Sequence, residues 1–270
     1  MSPTEFFPKT VTIHGTGLMG CSLALALKRA IPGIKIFGID QPEILQKAKS
    51  IGAIDSAASQ SSDLIVLAAP VGEILRIVEE IEASSAQIIL DLGSTKVDIC
   101  HKAELRRLPF VGGHPMTGSE RSGPDAASAD IFNDACFFLC SVTSTPTGAI
   151  QKLELMIRKI GAVPHVMAPG AHDKLVSQIS HLPQIISTLL AVHTEHAEFA
   201  GPGWKSLTRL AASPFHVWRD ILLTSGSLPN ELRSYIEQLQ EVLDALEKKD
   251  ARQLESIFER ANRAVHSWPS

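Results

Sequence analysis

The sequence has no run of basic residues. Its 25 Lys and Arg stand against 29 Asp and Glu, a formal net charge of −4. That removes the electrostatic footprint of a nucleic-acid-binding protein. The apolar stretches are strand-length, so none is read as spanning a bilayer. Met1-Ser-Pro-Thr-Glu-Phe-Phe-Pro8 offers neither the basic segment nor the apolar segment of an export signal. The four cysteines, at positions 21, 100, 136 and 140, lack metal or redox spacing. Cys136 and Cys140 flank two phenylalanines in an expected strand and are read as buried free thiols. No metal is expected, no repeat is visible, and a cytoplasmic location fits. What is present is 44% hydrophobic and 20% charged content over 270 residues. Such a chain reads as soluble and globular, with one large domain or two ordinary ones.

The strongest local signal is Val11-Thr-Ile-His-Gly15-Thr-Gly17-Leu-Met-Gly20. An apolar run ends in Gly-x-Gly-x-x-Gly, and an apolar helical pattern follows at once. In a dinucleotide-binding fold the first glycine allows the turn, the second admits a pyrophosphate, and the third lets helix pack on strand. The helix start then faces the phosphates with its positive end. Asp40 follows the next apolar run, Ile34–Ile39, where a carboxylate accepts from the ribose hydroxyls of NAD. No arginine occurs in Gln41–Gln46 to meet a 2′-phosphate, which favours NAD over NADP. Gly15, Gly17, Leu18, Met19, Gly20, Asp40 and Pro70 are the expected cofactor contacts. A tight turn beside a solvated aspartate is the plain alternative.

Residues 10 to about 167 alternate strand and helix. Strands are expected at Thr10–His14, Ile34–Ile39, Asp63–Ala69, Gln87–Leu92, Phe110–Gly112, Ala135–Ser141 and Ala162–Val166. Helices are expected at Leu18–Arg29, Pro42–Ile51, around Ile74–Ile81, after Lys96, and at Ala149–Ile160. The unbroken apolar run at Asp63–Ala69 marks a strand covered on both faces. This pattern predicts an α/β, Rossmann-type, doubly wound, mostly parallel sheet with ligands at the strands' carboxyl ends. Past His172 no strand pattern remains. A long helix is expected over Ala171–Glu198, kinked at Pro183, with helices at Lys205–Ala212, Phe215–Leu223, Glu231–Lys248 and Ala251–Ser267. The division is 1–168, nucleotide-binding, and 169–270, an all-α domain with more apolar positions than it can bury alone. Docking on the first domain or on a second copy follows. Ser56–Ser62 reads as a loop.

Three groups carry chemistry. In Asp91-Leu-Gly-Ser94-Thr-Lys96 the serine lies at a strand end near the expected nicotinamide, or only caps a helix. In Gly112-Gly-His114-Pro-Met-Thr-Gly118-Ser-Glu120 glycines flank a histidine directly after a strand. Histidine titrates closest to neutral pH and suits abstraction of a hydroxyl proton; a structural role is the alternative. On the long helix Asp173, Ser177 and His181 share a face, in water or, as the apolar surroundings favour, in a polar cleft. Farther on, Arg209 stands among apolar residues and offers a planar fork for a carboxylate, or else a surface ion pair. His101, His165, His193, His196, His216 and His266 read as surface or core-edge residues.

Together these stretches resemble the prephenate/arogenate dehydrogenase family of tyrosine biosynthesis. The resemblance covers nearly the whole chain. It rests on Gly15-x-Gly17-x-x-Gly20, Gly93-Ser94-Thr95-Lys96, Gly112-Gly-His114-Pro-Met-Thr-Gly-Ser-Glu120, His172-Asp173…Ser180-His181-Leu-Pro, and Thr208-Arg209…Trp218-Arg-Asp-Ile221. It implies an N-terminal nucleotide-binding domain, a helical dimerisation domain, and NAD-dependent oxidative decarboxylation of a cyclohexadienol. It also implies roles. His114 accepts the ring hydroxyl's hydrogen bond, Ser94 orients it, and Arg209 binds a substrate carboxylate. His181 and Ser177 are implied pocket positions, with Glu120 at the mouth. Many members read His-Leu-Pro-His where this chain has Gln184. Neither a fused chorismate mutase nor a regulatory domain is expected, so any tyrosine feedback acts at the active site. Glu120 offers a carboxylate to the side-chain ammonium of arogenate, but the family this chain resembles uses that residue in both settings; Gln184 offers no charge, and prephenate is preferred as the small-molecule substrate. The rivals are a β-hydroxyacid dehydrogenase using Lys174 as base, and an NAD(H)-sensing dimer without turnover.

Overall fold

A computed structural model describes residues 7–57, 62–84, 87–118 and 121–267. Glu120 lies outside the described residues. The first half alternates as expected: β1 (Thr10–His14), α1 (Leu18–Ala30), β2 (Lys35–Ile39), α2 (Pro42–Ser50), β3 (Ser56–Ala57), β4 (Leu64–Leu67) and α3 (Val71–Glu80). Then come β5 (Ile88–Asp91), α4 (Val97–Leu105), β6 (Phe110–Pro115), β7 (Cys136–Ser141), α5 (Ala149–Lys159) and β8 (Val163–Val166).

The eight strands are ordered β3-β2-β1-β4-β5-β6-β7-β8. Every neighbouring pair is parallel except β6 with β7, which is antiparallel. The order reverses between β1 and β4, and a crevice at such a switch point is where ligands bind. Residues of β4, β5 and β6 are buried throughout, as strands covered on both faces must be. One core cluster joins Leu23 and Leu27 of α1 to Phe137 and Ile157; the opposite one joins Ile74 and Val78 of α3 to Ile99 and Phe110. Each such side chain contributes about 1.5–3 kcal/mol relative to exposure.

Two strands differ from the expected elements. The strand before His114 continues three residues farther, so His114 lies within β6, opposite Phe138, and not in the loop after it. Pairing with β7 overrides the weak strand preference of Gly112, Gly113 and Pro115. The first residues of the expected loop at 56–62 pair with β2 as an edge strand, Phe37 with Ser56 and Gly38 with Ala57.

The rest is helical: α6 (Pro169–Val176), α7 (Leu182–His193), α8 (Pro202–Thr208), α9 (Phe215–Thr224), α10 (Leu228–Glu247) and α11 (Ala251–His266). The single long helix is instead two, joined by a π turn at Ser177–His181. Pro183 has no N–H for the ladder, and its ring crowds the carbonyl four residues back. The wider turn before it relieves that clash. The chain leaves the helix at Thr194, short of Glu198. Contrary to the strand-length reading, Pro169–His193 is long and apolar enough to cross a membrane by length and composition. It nevertheless carries buried His172, Asp173, Ser177 and His181. Lys205–Ala212 is α8 plus a 3₁₀ turn at Arg209–Ala212.

A Cβ on Gly20 would lie 2.0 Å from the Gly15 carbonyl oxygen, a backbone atom with no freedom to retreat. Gly20→Ala is therefore expected to destabilise the protein by about 1–3 kcal/mol. Urea unfolding measures this, and an unchanged midpoint would contradict the close approach.

Candidate active site

The glycine loop sits where β1, β2 and β4 end. Gly15 has φ +89, and a Cβ there would meet the Ala68 carbonyl oxygen at 2.5 Å, so the turn needs glycine. Helix α1 starts at Leu18 with no side-chain cap and no acidic residue in its first turn. Its first N–H groups, with no cap or carboxylate against them, suit an anion. Nothing lies within 4 Å of a Cβ built on Gly17, which leaves space for a diphosphate. At the tip of β2, Asp40 Oδ2 accepts from Thr16 N at 2.7 Å and from Thr16 Oγ1 at 3.2 Å. Its Oδ1 accepts from Gln41 N at 2.8 Å. A carboxylate has about four acceptor positions, so one remains for a ribose hydroxyl. Leu18, Met19, Pro70 and Ser94 line a cleft of about 420 Å³ beside this loop. These residues fit NAD.

A second cleft, of about 810 Å³, holds His114 and Arg209 together. Thr117, Gly118, Arg121, Ser122, His216 and Val217 line both clefts, which thus share a wall. Among the described residues lining the larger cleft none is acidic, and two are arginines. Such a lining suits a dianionic ligand.

His114 is nine-tenths buried. Its Nδ1 is 2.9 Å from His172 Nε2, and His172 Nδ1 is 2.7 Å from Asp173 Oδ1. Asp173 accepts the backbone N–H of Lys96 at 2.7 Å and of Val97 at 2.9 Å. Beneath this chain Lys96, fully buried, ion-pairs with Asp91 and donates to the Gly113 carbonyl at 2.8 Å. Asp91 also accepts from Gly93 N at 2.9 Å and Gly113 N at 3.0 Å. Burial raises the Asp91 carboxyl, against the pull of Lys96 and both amides. Burial, then His172, Lys96 and His181, hold His114 well below the usual histidine value. At neutral pH it is an uncharged imidazole able to accept a proton.

The other expected residues are placed less directly. Ser94 lies on the cofactor cleft, while the hydrogen bond recorded at His114 is with His172. The polar face of Asp173, Ser177 and His181 does not line the cleft. Asp173 is buried against α4, and Ser177 Oγ and His181 Nδ1 meet Ser225 Oγ at 3.1 and 2.8 Å. The π turn rotates that face inward and presents Ser180 to the cleft instead. His181 stacks edge-on against the cleft-lining Trp218, at 6.0 Å between rings. Gln184 is buried and donates to the Leu210 carbonyl at 2.9 Å, and Ser187 accepts from Ala211 N at 3.1 Å. Both therefore hold the turn that carries Arg209. His172, Lys96 and His216 were not expected at the site. His172 carried a signal in its neighbour Asp173, and Lys96 lay in the same motif as Ser94, two residues past it.

The chain is similar to known proteins over nearly its whole length. Residues 23–166 match the prephenate dehydrogenase nucleotide-binding domain family, and residues 168–260 match its dimerization domain family. A prephenate dehydrogenase of Bacillus subtilis is 34% identical, over 93% of this chain and 74% of that one. One of Lactococcus lactis is 31% identical, over 94% and 76%. Among solved structures, a prephenate dehydrogenase of Aquifex aeolicus in complex with hydroxyphenyl propionate and NAD+ superposes with a TM-score of 0.87. It is 26% identical and covers 97% of this chain and 99% of its own.

Burial pushes His181 down from 6.5 to about 4, with Asp173 opposing. Between these values the unfolded chain binds a proton that the folded one refuses, so stability falls as pH drops from about 6.5 to about 4. His181→Asn removes this titration. The gap in Tm between wild type and variant should narrow in the variant's favour as pH falls through that window; parallel curves would contradict the assignment.

Proposed function

The chain belongs to the prephenate dehydrogenase family, and on that premise we propose that it oxidatively decarboxylates prephenate to 4-hydroxyphenylpyruvate in tyrosine biosynthesis. The carrying observation is that His114 and Arg209 line one cleft whose wall is also the wall of the cofactor cleft. Bound NAD supplies the hydride acceptor. His114 accepts the ring hydroxyl's proton as the carbonyl forms. Arg209 pairs with a substrate carboxylate and fixes the ring's orientation. Arg121, on the shared wall, adds positive potential toward the second carboxylate. Loss of the ring carboxylate as CO2 restores aromaticity and makes the reaction irreversible. Ser94, His181 and Ser177 support the pocket.

A ketone side chain needs no carboxylate partner, so the cleft's described lining supports prephenate over arogenate. Asp40 supports NAD over NADP. Lys174, the base a β-hydroxyacid dehydrogenase would use, is exposed on α6 and lines neither cleft. An intact base and substrate arginine argue against a non-catalytic sensor. We further propose a division near residue 168 and a cytoplasmic homodimer formed through the helical part. Val192, Phe199, Leu223 and Phe258 there are 78, 84, 80 and 74% exposed, more apolar surface than a lone subunit leaves in water without use.

Assays crossing prephenate and arogenate with NAD and NADP test the substrate and cofactor assignments; prephenate with NAD is expected to give the highest kcat/KM. His114→Asn should lower kcat by about 10²–10⁴ while NAD affinity is kept. Undiminished turnover in that variant would overturn the reading. Arg209→Ala should act mainly on KM.

A further inference from the structure

We propose that His172 and Asp173 are positioning residues that fix the tautomer of His114 and take over the charge of the proton it abstracts. The inference rests on the reading of His114 as acceptor and goes beyond it.

The argument starts at Asp173. Its carboxylate sits on the first N–H groups of α4, accepting from Lys96 N and Val97 N. Those backbone donors and the positive helix end favour a carboxylate there. A carboxylate only accepts, so the nitrogen facing it, His172 Nδ1 at 2.7 Å, carries the hydrogen. A neutral His172 then has a lone pair on Nε2. His114 Nδ1, 2.9 Å from it, must be the donor. This leaves His114 Nε2 bare, the state a hydroxyl proton requires. One carboxylate thus sets the acceptor two imidazoles away. His172 is fully buried, and Phe138 meets its ring edge-on at 5.2 Å, an apolar wall that keeps it in place.

The transfer is balanced. The hydroxyl proton bonds to His114 Nε2. The N–H bond at His114 Nδ1 breaks, and that proton bonds to His172 Nε2. His172 keeps its Nδ1 hydrogen toward Asp173. The hydroxyl O–H electron pair stays on oxygen as the carbonyl forms, and the protein changes no oxidation state. Positive charge on His114 would lie near the Lys96 ammonium and His181; passed on, it rests against the Asp173 carboxylate. Burial, His172, Lys96 and His181 all oppose a charged His114.

Nitrogen-15 NMR of the ligand-free protein near pH 7.5 reads both tautomers without turnover. Hydrogen on Nδ1 and none on Nε2 is expected for His114 and for His172; a hydrogen on His114 Nε2 overturns the proposal. His172→Leu should lower kcat by about 10²-fold or more with KM and NAD affinity within about threefold, since a wrong tautomer disables a base. His172→Gln keeps an acceptor toward His114 Nδ1 and should recover part of that loss, because the tautomer is held while the charge is not passed on. If His172→Leu fails to fold, the wild-type spectrum and His172→Gln decide. Full turnover in either His172 variant sinks the relay alone; full turnover in His114→Asn sinks the reading beneath it.

Discussion

The arrangement depends on what happens at three helix N-termini along one edge of the sheet. Each begins with N–H groups that have no partner in their own helix, and each carries partial positive charge. The start of α1 is left open beside the glycine loop. The other two are closed by carboxylates from the helical half. Asp220 of α9 accepts from Gly72 N of α3 at 3.0 Å, and Asp173 of α6 accepts at α4. A partly buried carboxylate at such a place contributes up to about 2 kcal/mol. The two contacts also fix the helical half on either side of the cleft, while the open terminus remains for a phosphate. Arg219 holds the Asp220 carboxyl below its ordinary range, so it stays charged.

Beneath the site the constraint is electrostatic and steric together. The Lys96–Asp91 pair is wholly buried. Its desolvation is offset only because the Gly113 carbonyl and two backbone amides complete its hydrogen bonds. A Cβ at Gly113 would come within 2.4 Å of the Asp91 carbonyl oxygen. Strand β6 is thereby held tightly against β5, and His114, its next residue, has little freedom of position. Precision at the imidazole comes from the strand beside it as much as from its own partners.

Much of this was legible in the residues. Gly15, Gly17, Gly20 and Asp40 announce their roles because a turn, a close approach and a ribose partner each demand one residue type at fixed spacing. The unbroken apolar run of β4 marked a strand covered on both faces. His114 was marked by glycines, and Arg209 by its apolar setting. What stayed hidden was long-range. His172 lies 58 positions from His114, and Asp173 lies 77 from Lys96, and no periodicity connects them. Lys96 and Asp91 stand in one motif, but the buried ion pair between them is seen only in the fold. The length of β6 was missed because glycine and proline are poor strand formers whose pairing is decided by a neighbour. Ser177 and His181 were placed on the right element but given the wrong orientation, since spacing assumes a regular helix.

That irregularity has a reach larger than its five residues. In a regular helix each residue turns the chain by about 100°. The widened stretch at Ser177–His181 therefore works as a phase adjuster: it sets the angle at which everything beyond it emerges. Gln184 and Ser187 find the Leu210 and Ala211 backbone only at that angle. A single-residue deletion there would leave the side chains beyond it intact and still swing the guanidinium's support away. The reach of Arg209 is thus governed by backbone register about thirty residues upstream.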